Sequence, residues 1–208
     1  MILNLLARLV AISLPVAPTP SCYLKGTNIR TANGESAVEA LKIGTLITLH
    51  DGSLAPVKWV GRTTFRKRSQ LWQRRILPVM ITQGALGDNL PARDLHVSQR
   101  HMMFVAGHLV KAKHLINGST IRLAALADAN TLEYYHVAVE GHSALLAEGQ
   151  PAETLRSSAI DRERFENFAE YAKLYPNDKP ARPKAFAPVR HALPWFGLRK
   201  KTKARQTV

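Results

Sequence analysis

Asn33-Gly34, Asp51-Gly52 and Asn117-Gly118 are spread along the chain between runs of apolar residues. Each joins a residue that tolerates positive φ to a glycine that adopts it at no steric cost, so each marks a tight hairpin turn. The runs Thr45–His50, Pro56–Val60 and Leu132–Val139 are rich in β-branched and aromatic residues and alternate in part with period two. Many short strands joined by close turns predict a mainly β, compact all-β fold between Cys22 and about Ala152. The pattern changes over Ser157–Tyr175, where Phe165, Phe168, Ala172 and Tyr175 recur every three or four residues and Pro176 ends the run. That spacing predicts one amphipathic helix, with Ser158 and Asp161 at capping-box spacing.

A chain of 208 residues, 46% hydrophobic and 21% charged, can bury a sizeable core, which excludes a wholly disordered or low-complexity protein. Its one cysteine, Cys22, excludes an internal disulfide and any zinc site built from several thiolates. The net charge is +14, and more than half of it lies in residues 181–208, where eight basic side chains meet no acid. Pro180, Pro183, Pro188 and Pro194 interrupt any regular element there, so the stretch reads as an irregular, solvated basic tail. Its charge also suits phosphate, on nucleic acid or on an anionic membrane surface, and Trp195 and Phe196 beside the cations suit headgroup depth.

The residues ahead of Cys22 are apolar and then proline-rich. They resemble a short signal peptide, although no Lys or Arg precedes Leu5 and Arg8 interrupts the apolar run. Compartment is therefore left open, with export as one reading. No stretch offers eighteen uninterrupted apolar residues, so no transmembrane helix is expected.

Around the cysteine the chain runs Cys22-Tyr-Leu-Lys-Gly26-Thr27-Asn-Ile29-Arg-Thr31-Ala-Asn-Gly34, then Val38-Glu39-Ala-Leu41-Lys-Ile-Gly44. These words resemble the opening of a Hedgehog/intein, or Hint, domain. Leu95-His-Val-Ser98-Gln-Arg-His101 resembles the second motif of that family, with Ser98 where Thr is commoner. Tyr134-Tyr135-His136-Val-Ala-Val139-Glu-Gly-His142-Ser143 resembles the closing motifs, with His136 in place of an aspartate and Ser143 in place of the asparagine of a His-Asn pair. Thr45 follows Gly44 where Asp is usual. Further words, Pro56–Arg62, Leu90–Leu95 and Leu146–Thr154, resemble a bacterial branch of Hint domains and extend the resemblance from Cys22 to about Leu155. It implies a horseshoe-like β-fold, and a cysteine that attacks the carbonyl just before it.

Elementary chemistry sets out what such an attack needs. A thiol with a pKa of ~8.5 is only a few per cent thiolate at neutral pH, yet it is intrinsically nucleophilic. Attached to the residue after a peptide carbonyl, it closes a five-membered ring on the Ser21 carbon with effective molarity supplied by the chain. The amide is the more stable species, so the fold must strain the Ser21–Cys22 bond or protonate its nitrogen. The resemblance implies His101 as that acid and Ser98 as the hydroxyl that orients the carbonyl or the imidazole. His142 and His136 are the remaining candidates, and six residues apart they face one side if a single strand carries both. His50, His96, His108, His114 and His191 are expected to be structural or exposed.

The histidine spacings contain no four-residue helical pair of a zinc protease, so neither metal nor other cofactor is expected. Glu39, Glu148 and Glu153 carry no spacing that separates them from solvent-facing or turn-stabilising carboxylates. The expected organisation is a leader over 1–21, a Hint-like domain over 22–155, a helix over 156–176 and a Pro-rich basic tail over 177–208. The expected function is one intramolecular N-to-S acyl shift at Ser21–Cys22 with loss of the leader, water or a small nucleophile taking the acyl group, and no full splicing. The alternative is an inactive Hint-derived binding or secretion module whose cationic tail contacts membrane or nucleic acid. A third reading places a lipid on Cys22.

Overall fold

In the computed structural model the described residues are 20–155 and 162–178. The signal-like stretch over 1–19, the Ser158 and Asp161 capping pair, His191 and most of the basic tail lie outside them. The chain begins with β1 (Tyr23–Leu24), β2 (Asn28–Thr31), β3 (Gly34–Ala37), β4 (Leu46–Thr48), β5 (Leu54–Pro56) and the long β6 (Trp59–Arg66). It continues through β7 (Val79–Ile81), β8 (Leu95–Val97), β9 (Met102–Val105), β10 (His108–Lys111) and a single helical turn, α1 (Ala112–Leu115). The described order closes with β11 (Ile121–Leu123), β12 (Thr131–Ala138), β13 (Ala144–Ala147), β14 (Gln150–Glu153) and the helix α2 (Phe168–Leu174).

Two sheets result. The six-stranded one runs β11-β7-β8-β1-β12-β6, and the eight-stranded one runs β10-β9-β14-β13-β2-β4-β5 with β3 added beside β2. The mainly β expectation holds, and the turn glycines explain two of its hairpins: Gly34 (φ 111°) follows the β2–β3 turn and Gly52 (φ 85°) lies between β4 and β5. Gly118 also has positive φ, but its turn joins α1 to β11 rather than two paired strands. There Asn117 Oδ1 accepts the backbone N–H groups of Ser119 and Ile121, which favours a local turn over a hairpin.

β12 reads as a nearly unbroken buried run because it is covered on both faces. Leu132, Tyr134 and Ala138 join one apolar cluster with Trp59, Ile76 and Cys22, while Tyr135, Val137 and Val139 join a second with Tyr23, Ile29, Ile47 and Val97.

The helix expected over Ser157–Tyr175 appears among the described residues as α2, Phe168–Leu174, preceded by turns. The physical reason is the exposed edge of β6. Glu166 N donates to the Arg62 carbonyl at 2.8 Å, and Asn167 accepts from Arg62 N and donates to the Val60 carbonyl. Glu166 Oε1 takes Thr64 N at 2.7 Å. These groups satisfy a strand edge that would otherwise be open, which a continuous helix could not do. Phe165 and Tyr171 then meet Trp59 edge-on, with ring centroids 5.5 and 5.2 Å away.

Candidate functional site

β1 lies between β8 and β12, and this pairing assembles the site. Tyr23 stands opposite Val97 on one side and Tyr135 on the other. Continuing those registers by one residue sets Cys22 beside Ser98 and His136, and Ser98 N indeed donates to the Cys22 carbonyl at 2.8 Å. The Ser98 side chain then spans the Ser21–Cys22 peptide. Its Oγ accepts from Cys22 N at 2.9 Å and donates to the Pro20 carbonyl at 2.8 Å, both buried. Ser21 Oγ donates to the Arg100 carbonyl at 3.3 Å. Backbone on each side of the junction is thereby held by the segment Ser98–His101.

That segment is a turn, closed by His101 N donating to the Ser98 carbonyl at 3.0 Å and secured by Ala112 N donating to the His101 carbonyl at 2.9 Å. It drives the His101 ring fully into the interior, 4.3 Å from the Tyr23 ring and 5.1 Å from that of His136. Neither ring nitrogen of His101 or of His136 has a hydrogen-bond partner among the described residues. Buried polar groups of this kind are rare and cost about 1–3 kcal/mol each. The two rings lie side by side at the cysteine junction, with His136 also facing a cavity there.

Electrostatics separates their roles. Burial, reinforced by the charge of His136, pulls His101 down to about 3, with the Glu153 carboxylate opposing. His101 is therefore neutral at physiological pH, where the sequence suggested an acid. Burial also lowers His136, against the Glu153 charge and the nearby carbonyls of Thr154 and Ser21, which favour its protonated form. The carbonyls favour a proton without reaching hydrogen-bond geometry. The Ser21 carbonyl is the one that Cys22 would attack. Burial pushes the Cys22 thiol well up, and its side chain packs into the cluster with Trp59, Ile76 and Tyr134.

His142 is placed otherwise than its parity with His136 suggests. β12 stops at Ala138, so no single strand carries both, and β13 and β14 still follow Ser143. The His142 side chain turns inward all the same. Its Nε2 is hydrogen-bonded to Glu153 Oε1 at 2.9 Å. Glu153, which the sequence did not separate from solvent-facing or turn-stabilising carboxylates, is instead 2% exposed, and its charge acts on both His101 and His136. The available signal was its position at the end of β14 between the buried Ala152 and Leu155. Tyr23 was passed over; its hydroxyl donates to the Glu153 carbonyl at 3.0 Å and braces the His101 ring.

A cavity of about 210 Å³ opens on the junction, with Ser21, His136 and Glu153 in its wall beside Arg100, Lys111 and Arg164. Among the described residues no group of three or more metal-ligating side chains is assembled, and no helix is long and apolar enough to cross a membrane.

The fold and this junction define a Hint-type domain. The Hint domain family profile matches residues 21–159, more than half of the chain, and the protein belongs to that family of self-processing domains. Among solved structures it is similar to the intein-like domain of Clostridium thermocellum, at 15% identity and a TM-score of 0.45, covering 66% of this chain and 99% of that one. It is also similar to the MchDnaB-1 intein, at 11% identity and a TM-score of 0.43, covering 64% of this chain and 99% of that one. The gp41-1 intein gives 12% identity and a TM-score of 0.44, over 64% of this chain and 98% of that one. No curated protein matches the sequence.

Proposed function

We propose that this Hint domain performs an N-to-S acyl shift at Ser21–Cys22 and releases the residues ahead of Cys22, without splicing. The observation that carries the reading is the clamp of Ser98 across the junction, with two unpartnered imidazoles in the same buried space. The Cys22 side chain rests against Trp59, Ile76 and Tyr134 and must turn toward the junction to react. His101, which burial keeps neutral and which lies against the neighbouring Tyr23 ring, then takes the thiol proton. Cys22 Sγ then bonds to the Ser21 carbonyl carbon, and His136 faces the oxygen on which negative charge develops. The imidazolium of His101 gives its proton to the Cys22 nitrogen, and the C–N bond breaks. A thioester and the free α-amine of Cys22 result. Water or a small nucleophile takes the acyl group and restores the thiol.

Splicing needs an asparagine side chain that cyclises at the far end of the domain. Ser143 lacks that amide, and its backbone is paired with Thr154 as the chain enters β13. Cleavage there would cut inside the eight-stranded sheet. Glu153-Thr154, where β14 returns to the site, offers no asparagine either.

The test is the intact mass of the full chain incubated with and without a strong thiol. Thiol-dependent loss of residues 1–21, absent in Cys22→Ala, supports the acyl shift. An unchanged mass overturns it and favours an inactive Hint-derived module with a cationic tail for anionic membrane or nucleic acid, a reading that the 0% exposure of Cys22 supports. Binding to anionic vesicles or to duplex that weakens with salt tests that tail.

A further inference from the structure

We propose that the cavity beside the junction receives the acyl acceptor, and that this acceptor is a small amino acid, an amine nucleophile carrying a carboxylate. The proposal rests on the Cys22 acyl shift and names its second substrate.

Three separate elements bring cations to the cavity: Arg100 from the turn after β8, Lys111 from the end of β10, and Arg164 from the segment that covers β6. None of the three lies within salt-bridge distance of a carboxylate among the described residues. Arg93 bridges Glu35 and Glu148 and Lys58 bridges Glu140 and Asp178, while Arg30, Lys42, Arg66 and Lys113 also lack a carboxylate partner among the described residues. What sets Arg100, Lys111 and Arg164 apart is that they meet at one cavity beside the junction. Cations left unpaired around one concave site concentrate small anions there and offer charge-assisted hydrogen bonds to a carboxylate. Hydrolysis by water has no use for such a site.

The rest of the wall supplies what an attacking amine needs. The Glu153 carboxylate and the His136 imidazole are proton acceptors, and Ser21, the acyl residue, stands beside them. One molecule with an anionic end and an amine end matches both halves. At ~30 Å³ per water, a cavity of about 210 Å³ holds roughly seven waters, which leaves ample room for a small amino acid. In the transfer step the amine nitrogen bonds to the Ser21 carbonyl carbon, the C–S bond to Cys22 breaks, and the proton lost by the amine returns to the thiolate. The released segment then ends in Ser21 joined by a new amide to the acceptor.

The experiment incubates the full chain with glycine or with ethanolamine, an amine of similar basicity that lacks the carboxylate, at equal concentration of free amine, beside a strong-thiol control, and reads products by mass. A saturable yield of glycine adduct is expected, with glycine preferred over ethanolamine by about fivefold at low salt, the scale of a partly exposed ion pair. That preference should fall toward one in Arg100→Gln/Lys111→Gln, fall likewise at high salt, and survive in Lys111→Arg. Equal, non-saturating use of both amines, with thiol cleavage intact, overturns the acceptor site and leaves the acyl shift standing. Absence of thiol cleavage overturns both. The wild-type comparison decides the matter even if a variant fails to fold.

Discussion

The Oγ of Ser98 accepts a hydrogen bond from the backbone nitrogen of Cys22 at 2.9 Å, across 76 residues of sequence. The same oxygen donates to the Pro20 carbonyl, so one hydroxyl holds the chain before and after the bond to be broken. The nitrogen it holds is the leaving group of the proposed shift.

Removing that hydroxyl in Ser98→Ala leaves two buried backbone groups without partners. A stability loss of about 1–3 kcal/mol is expected in urea unfolding, with thiol-dependent cleavage slowed by at least about tenfold. Ser98→Thr should retain both. Unchanged cleavage in the alanine variant would show that the clamp has no part in the reaction.

Acid should destabilise the fold through His101. Its folded pKa of about 3 lies below the ordinary histidine value of 6.5, so the unfolded chain binds the extra proton between those values. The contribution is fully present above about pH 6.5 and is lost as pH falls toward about 3. It amounts to about 5 kcal/mol at most, by linkage, and His136, lowered in the same direction, adds to it. Urea midpoints measured across this window should fall with pH, and His101→Phe should flatten the slope.

Glu153→Gln keeps an acceptor for His142 but removes the charge that favours protons on His101 and His136. Histidine ring resonances followed against pH should show His136 titrating lower than in the parent chain. Cleavage should slow by about tenfold if the second proton transfer depends on that charge. An unaltered titration would place the carboxylate outside the electrostatics of the site.

Gly61 on β6 has no room for a side chain. A Cβ there would sit 2.7 Å from Trp59 Cζ3 and 2.8 Å from the Phe165 ring. Gly61→Ala is expected to cost about 1–3 kcal/mol by overpacking, seen as a Tm lowered by about 2–4 °C per kcal/mol at this chain length. Combined with Phe165→Ala, the two losses should be less than additive, since the smaller residue makes room for the new methyl. Full additivity would show that Phe165 does not press on β6.

Sequence alone determined the local features: the turns at Gly34 and Gly52, the strand character of Leu132–Val139, and the words around Cys22, Ser98 and His101 that mark the family. Those signals live within a few residues, where periodicity and positive-φ preferences act. Which carboxylate and which imidazoles share the junction was decided only when β1 entered between β8 and β12 and β14 carried Glu153 back to His142. The protonation states of Cys22 and His101 depend on burial, which is a property of the packed sheets and not of the side chain. The length of α2 was likewise settled at a distance, by the open edge of β6 competing for Glu166 and Asn167. Hydrogen bonds between segments a hundred residues apart leave no periodic trace in either one.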